Sequence, residues 1–192
     1  MANKNFNIII TGVGGQGLIT LVKIITEAAF IEGYDVKSSE LHGLSQRGGS
    51  VITHIRFGKK VYSPLVENGK ANLIIGLEEL EGLRGYIFSG SETKFLINKY
   101  YAPFAGNLSE KDVIENLNKI AGKNLLLIAA SDICKEKLQN EVVSSLYLLG
   151  YAVNQKLMPI KAGSILTAIK NVIPEKYLEL NKKAFELAKS IV

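Results

Sequence analysis

Two stretches of this 192-residue sequence combine residue types and spacings suited to chemistry. The first is Gly12-Val13-Gly14-Gly15-Gln16-Gly17, a G-x-G-x-x-G lying between a strand-like and a helix-like run. In that context the first glycine turns the chain, the second admits a close phosphate, and the third packs helix on strand. Backbone N–H groups at the helix start then favour an anion. A dinucleotide site of this type also wants an acid about 20 residues on, at the end of the second strand. Glu40, 23 residues beyond Gly17, nearly meets that test. The same glycines also suit a tight strand–helix turn that holds nothing, and the local sequence leaves both readings open.

The second stretch is Leu41-His42-Gly43-Leu44-Ser45-Gln46-Arg47-Gly48-Gly49-Ser50. Polar side chains and glycines beyond a strand end describe an exposed loop shaped for contact. Arg47 offers a planar fork for a carboxylate or phosphate. His42 can exchange a proton near neutral pH, and Gly48 and Gly49 allow close approach. The plainer alternative is a turn-rich loop that Arg47 pins to a neighbouring carboxylate.

Other candidates are weaker. His54 sits inside a strand pattern, where a lone histidine is more often a hydrogen-bonded core residue than a ligand. Two histidines twelve residues apart, with no cysteine pair, make no metal signature. Glu78, Glu79 and Glu81 follow a strand and suit the first turn of a helix through its dipole, with binding of a polar group as the alternative. Cys134 lies among apolar residues of a helical stretch and reads as a small buried side chain. No G-x-S-x-G or Walker A sequence occurs. No residue set in the chain is expected to be catalytic, and no metal site is expected.

The elements that must position these motifs follow from periodicity. Phe6–Thr11 reads as a buried strand, and from Gly17 onward Leu18, Leu21, Val22, Ile25 and Ala29 repeat with helical spacing. Gly33 suits a helix C-terminus, and Tyr34–Ser39 a second strand. Val51–Phe57 alternates as a strand, with Gly58–Lys60 turning into Val61–Ser63 as a hairpin. Asn72–Leu77, Lys94–Asn98 and Leu125–Ala129 complete the strands. Ser109 and Asp112 form a capping pair for a helix ending at Gly122. Ser131–Leu149, Ala162–Val172 and Glu175–Ser190 read as helices. This alternation predicts an α/β fold: a single Rossmann-like layered domain over residues 1–192, with a mostly parallel sheet, a β-hairpin excursion and helices on both faces.

Composition narrows the class. Hydrophobic residues make up 47% and charged residues 21%, as in a folded globular domain. One cysteine excludes an internal disulfide framework, a four-cysteine zinc site and a self-contained iron–sulfur cluster. It favours a reducing, cytoplasmic setting. No apolar run approaches the ~18 residues of a membrane span, and the net charge of +5 is dispersed, so neither a membrane nor a nucleic acid is expected as partner.

The chain resembles the gamma-type subunit of the 2-oxoacid:ferredoxin oxidoreductases. The resemblance rests on Gly12–Gly17, Ser39-Glu40-Leu41-His42-Gly43, Ser45-Gln46-Arg47-Gly48-Gly49-Ser50-Val51, Val61-Tyr62-Ser63-Pro64-Leu65, Asn72–Glu78 and Asn181-Lys182-Lys183-Ala184-Phe185. These stretches span nearly the whole chain. His42-Gly43 followed by Ser45-Gln46-Arg47 is most similar to the indolepyruvate branch and its beta subunit. The resemblance implies a complex that decarboxylates a 2-oxoacid on thiamine diphosphate and magnesium. It passes two electrons through 4Fe–4S clusters to ferredoxin and releases an acyl-CoA from coenzyme A. The thiamine and cluster ligands are expected on a larger partner subunit, which leaves this chain an accessory role, inactive alone. It would cover the thiamine cleft and shape access for substrate or coenzyme A. Gly12, Gly14, Gly15, Gln16, Gly17, Glu40, His42, Ser45, Gln46, Arg47, Gly48 and Gly49 are the candidate cofactor-binding or cleft-facing residues. The rivals are a free-standing NAD(P)- or FAD-binding protein using the glycine turn and Glu40, and a non-catalytic nucleotide-binding module.

Overall fold

Ile8, Ile9 and Ile10 are each fully buried, so the first strand must be covered on both faces, and this requirement organises the molecule. The computed structural model describes residues 5–42, 49–102 and 108–189, with His42 described by its backbone alone. Six strands form one sheet: β1 (Phe6–Val13), β2 (Asp35–His42), β3 (Ser50–Gly58), β4 (Ala71–Gly76), β5 (Ser89–Asn98) and β6 (Leu125–Ile128). Their order across the sheet is β2-β3-β1-β4-β5-β6. β1, β4, β5 and β6 run parallel. β3 is antiparallel to both β1 and β2 and lies between them.

The helices are α1 (Leu18–Ile31), α2 (Glu79–Arg84), α3 (Glu110–Ala121), α4 (Ala130–Leu138), α5 (Ser144–Asn154), α6 (Ala162–Val172) and α7 (Glu175–Leu187). Ile8, Ile10, Leu73, Ile75 and Leu96 face a core built with α1 and α4 to α7. Ile9, Ile74, Phe95 and Ile97 face a smaller core under α2 and α3. The period-two alternation of the strands thus supplies both cores, and the expected α/β layering with helices on both faces is what the chain adopts.

The hairpin lies elsewhere than expected. β3 pairs along its length with β2, from Asp35↔Gly58 to His42↔Val51, and Val61–Ser63 forms no strand. Its backbone is claimed by side chains instead. The Asp35 carboxylate accepts the Val61 N–H at 2.8 Å, and the Arg56 guanidinium donates to the carbonyls of Ser63 and Leu65 at 3.1 Å. Pro64, which lacks an N–H, could not continue a ladder. The stretch Ser131–Leu149 is also not one helix. Gln139 adopts left-handed geometry (φ 54°) and ends α4. Asn140 then accepts the Val142 N–H at 3.0 Å and starts a 3₁₀ turn leading into α5.

One close contact fixes α2 on the sheet. A Cβ on Gly76 would stand 2.7 Å from both the Gly82 Cα and the Ile97 Cδ1. Gly76→Ala is therefore expected to destabilise the chain by about 1–3 kcal/mol through overpacking against backbone. Gly82→Ala meets only the Ile97 side chain and should cost less. Urea denaturation midpoints of the two variants, compared with wild type, check that order.

Candidate functional site

The chain order reverses between β1 and β4: from β1 it passes to β2 on one side, and from β4 to β5 and β6 on the other. Open α/β sheets bind ligands outside the C-terminal strand ends at such a switch point. Gly12–Gly17 stands there. The turn closes on itself, since the Val13 N–H donates to the Gln16 Oε1 at 2.9 Å and the Gln16 N–H to the Val13 carbonyl at 3.2 Å. Gly12 is still within β1, and its lack of a Cβ matters because Gln16 and Leu77 press against it. Gly15 (φ 104°) and Gly17 (φ 81°) need left-handed geometry.

Gly17 is the N-cap of α1 and provides no side-chain cap, and the first turn of α1 holds no acid. The first bond of the helix ladder runs from the Leu21 N–H to the Gly17 carbonyl. The N–H groups before it remain available to an anion.

The antiparallel course of β3 brings the second motif to the same place. Val13 pairs with Ser50 and Gly12 with Val51, and the Gly14 N–H donates to the Gly49 carbonyl at 3.0 Å. Gly49 therefore meets the glycine turn directly. Residues 43–48, with Ser45, Gln46, Arg47 and Gly48, lie outside the described residues, as does the His42 side chain. Glu40 is not brought to the turn: it pairs with Thr53, and β3 separates its strand from β1. Two strand spacings, about 10 Å, lie between.

A cavity of about 150 Å³ opens at the switch point, lined in part by Gly15, Gln16, Leu77, Asn98, Tyr100 and Ser131. The Asn98 amide donates to the Leu77 carbonyl at 3.2 Å and the Ser131 hydroxyl at 2.8 Å, and it accepts the Ser131 N–H at 3.2 Å. It thereby ties the ends of β4 and β5 to the start of α4. Sequence reasoning missed Asn98 as a site residue. The signal available was a polar residue ending the apolar run Phe95-Leu96-Ile97 at a strand's C-terminal end.

Three glutamates beside this edge have different fates. Glu78 caps α2, accepting the N–H groups of Leu80 and Glu81. Burial raises its carboxyl above the ordinary range, and those two hydrogen bonds oppose the rise. Glu81 accepts the Ser50 hydroxyl and the Arg84 guanidinium. Ser50 is the first residue of β3, so Glu81 anchors the start of that strand. Glu79 is fully buried, and among the described residues neither carboxylate oxygen has a hydrogen-bond partner. Burial first, then the charges of Glu110 and Glu78, push its pKa up to about 7, with Lys99 opposing.

His54 is the core histidine the sequence suggested. Its Nδ1 accepts the Val66 N–H at 3.1 Å, its ring meets Phe88 edge-on, and burial lowers its pKa. Cys134 is fully buried, and burial pushes its thiol up to about 11, which makes it a poor nucleophile.

Comparison with known proteins decides the family. The family model described as pyruvate ferredoxin/flavodoxin oxidoreductase matches residues 7–191. The chain belongs to this family. The indolepyruvate oxidoreductase subunit IorB of Thermococcus kodakarensis is 33% identical over 191 residues, covering 96% of this chain and 94% of its own length. The pyruvate/ketoisovalerate oxidoreductases common subunit gamma of Pyrococcus abyssi is 30% identical over 183 residues, covering 90% and 89%. Among solved structures, the gamma subunit of a keto/oxoacid ferredoxin oxidoreductase from Geobacter sulfurreducens superposes with a TM-score of 0.72 at 21% identity, covering 96% of each chain. That likeness supports the fold. Family membership also disfavours a free-standing dinucleotide enzyme, in agreement with the placement of Glu40.

The buried glutamate gives a pH signature. A carboxyl whose folded pKa lies above its unfolded value binds protons more tightly when folded. Its contribution therefore favours folding at low pH and is lost as pH rises from about 4.5 to about 7. His54 acts in the opposite sense, favouring folding above 6.5 and losing that contribution as pH falls. In Glu79→Gln the change in stability between pH 5 and pH 8 should shift by about 2–3 kcal/mol toward the alkaline side. Denaturation of wild type and variant at both pH values measures it.

Proposed function

We propose that this chain is the accessory subunit of a thiamine diphosphate-dependent 2-oxoacid:ferredoxin oxidoreductase, with an aryl pyruvate such as indolepyruvate as substrate. The observation that carries the reading is the Gly14–Gly49 hydrogen bond, which joins the family's two glycine-rich motifs at one sheet edge. Support for the aryl pyruvate comes from the indolepyruvate oxidoreductase subunits among the 33% identical relatives. The 30% identity to a subunit shared by pyruvate and ketoisovalerate enzymes makes those acids the alternative substrates.

The chain's own donors do not fit an iron–sulfur cluster. A cluster needs several thiolates, and the sequence holds one cysteine, buried and with a raised pKa. Among the described residues no group of three His, Cys, Asp or Glu side chains could hold a metal. Clusters, thiamine and magnesium are accordingly assigned to a larger partner subunit, which would hand electrons to ferredoxin. No helix among the described residues is long and apolar enough to cross a membrane.

In this reading the C-terminal sheet edge faces the partner's thiamine cleft. Tyr100 and Val142 are exposed apolar side chains beside the switch-point cavity and suit a face covered by another chain. The open N–H groups leading into α1 would receive a phosphate of coenzyme A or an acidic group of the partner. Arg47 would position the substrate carboxylate or a phosphate, with His42, Ser45 and Gln46 beside it and Gly48 and Gly49 permitting approach.

Coexpression with the larger subunit, followed by viologen reduction with indolepyruvate, phenylpyruvate and pyruvate, tests the assignment. The complex should turn over and this chain alone should not. Arg47→Ala should lower kcat/KM for the 2-oxoacid or coenzyme A by about 10–100-fold, as expected for loss of a charge-assisted bidentate contact. Turnover by the isolated chain, or unchanged kinetics for both substrates in Arg47→Ala, would overturn the reading.

A further inference from the structure

A second cavity, of about 410 Å³, lies on the other side of Val142 from the switch-point cavity. Its walls are the start of α1, the 3₁₀ turn and first turn of α5, and the connection from α6 into α7. Nothing in the proposed function uses it.

The lining divides into an apolar body and an uncharged polar edge. Val143, Leu146, Ile173, Pro174 and Leu180 supply the body. Thr20, Asn140, Ser145 and Asn181 supply the edge, and none of the lining residues carries a charge. Some of this polar capacity is used internally. The Asn140 Oδ1 caps the 3₁₀ turn, and the Asn181 Nδ2 donates to the Tyr177 carbonyl at 2.8 Å. The Asn140 amide N–H groups and the Asn181 carbonyl oxygen remain, a donor and an acceptor.

Ser145 is the decisive residue. It is 97% buried (3% exposed), lines the cavity, and its hydroxyl has no hydrogen-bond partner among the described residues. It lies against Gly17, where a Cβ would stand 3.5 Å from its Oγ. Its hydroxyl is not among the fully enclosed partnerless polar atoms; it opens onto a space large enough for a ligand.

From this lining we infer a binding site for an uncharged aromatic ring with a hydrogen-bonding edge. An ammonium group would find no carboxylate in the lining and would lose hydration without a partner, and the lining offers an anion no side-chain cation. A purely aliphatic ligand would leave the Ser145 hydroxyl, the Asn140 amide N–H groups and the Asn181 carbonyl oxygen without a contact from the ligand. A ring with one N–H or ring nitrogen fills the apolar body and meets the donors and acceptors at its edge. The ring of Tyr177, half exposed at the rim, adds an aromatic contact. Indole and a nucleobase share this chemistry.

The sequence contains no tryptophan, so the fluorescence of bound indole is read without an indole background from the protein. The full chain is titrated with indole by fluorescence and with adenosine by saturation-transfer NMR. Saturable binding of either supports the site, and the ring that binds more tightly identifies its source. Ser145→Ala should weaken binding about three- to tenfold, the effect of one hydrogen bond. Thr20→Phe, which fills the cavity from α1, should abolish it. Thermal unfolding of both variants confirms that they are folded, and Ser145→Ala keeps the test valid if Thr20→Phe does not fold. Absence of saturable binding for both rings up to millimolar concentration overturns the inference, as does binding that Ser145→Ala leaves unchanged. The titration needs no partner subunit, so its failure leaves the assignment to the oxidoreductase complex untouched.

Discussion

The antiparallel insertion of β3 between β1 and β2 is the constraint on which the rest of the molecule depends. In a wholly parallel arrangement β2 would lie beside β1 and its final acid could reach the glycine turn. Here β3 takes that place, with an unbroken register from Phe6↔Phe57 to Val13↔Ser50. Because β3 runs backwards, its beginning lies at the C-terminal edge of β1. The segment entering β3 is thereby delivered to the glycine turn, where Gly49 accepts the Gly14 N–H. A slip of one residue would turn the buried Val51, Ile55 and Phe57 to the opposite face of the sheet. Core packing and the meeting of the two motifs are thus set by the same register.

The edge so formed is held by groups that a purely structural domain has little reason to bury. Glu78 spends its carboxylate on the start of α2, and Glu81 bridges Ser50 and Arg84. The entry to β3 at Gly49 and Ser50 is therefore fastened twice, by backbone to the glycine turn and by side chain to α2. Glu79, between them, has no hydrogen-bond partner for its carboxylate among the described residues. Its burial opposes ionisation and raises its pKa to about 7. Local rules are most often broken near functional surfaces. The break here lies in α2, the helix that follows β4.

Much of this architecture was legible because it depends on local periodicity. Ile8-Ile9-Ile10 implied a strand covered on both sides, and Leu18, Leu21, Val22 and Ile25 marked the inner face of α1. Ser109 announced α3, and its hydroxyl does accept the Asp112 N–H at 3.2 Å. The errors arose where partners distant in sequence outweighed local preference. Val61–Ser63 has strand composition, but Asp35 and Arg56 capture the backbone around it. The break at Gln139-Asn140 required a left-handed residue that propensity alone did not mark. At the site, the motif positions were visible as types and spacings, whereas the displacement of Glu40 was not. Periodicity identifies strands without stating which strands are neighbours.

That displacement also bears on what a G-x-G-x-x-G can mean. The fingerprint implies a dinucleotide when a free second N–H meets the pyrophosphate and an acid waits on the adjacent strand. In this chain the Gly14 N–H is already bonded to Gly49, and Glu40 lies beyond an intervening strand. A Cβ on Gly12 would press on the Gln16 and Leu77 side chains. What remains open is the stretch leading into α1, a single anion-compatible turn beside a small cavity. Such a turn can hold one phosphate or carboxylate. A whole dinucleotide would need a second set of contacts, and this sheet order sets Glu40 beyond β3.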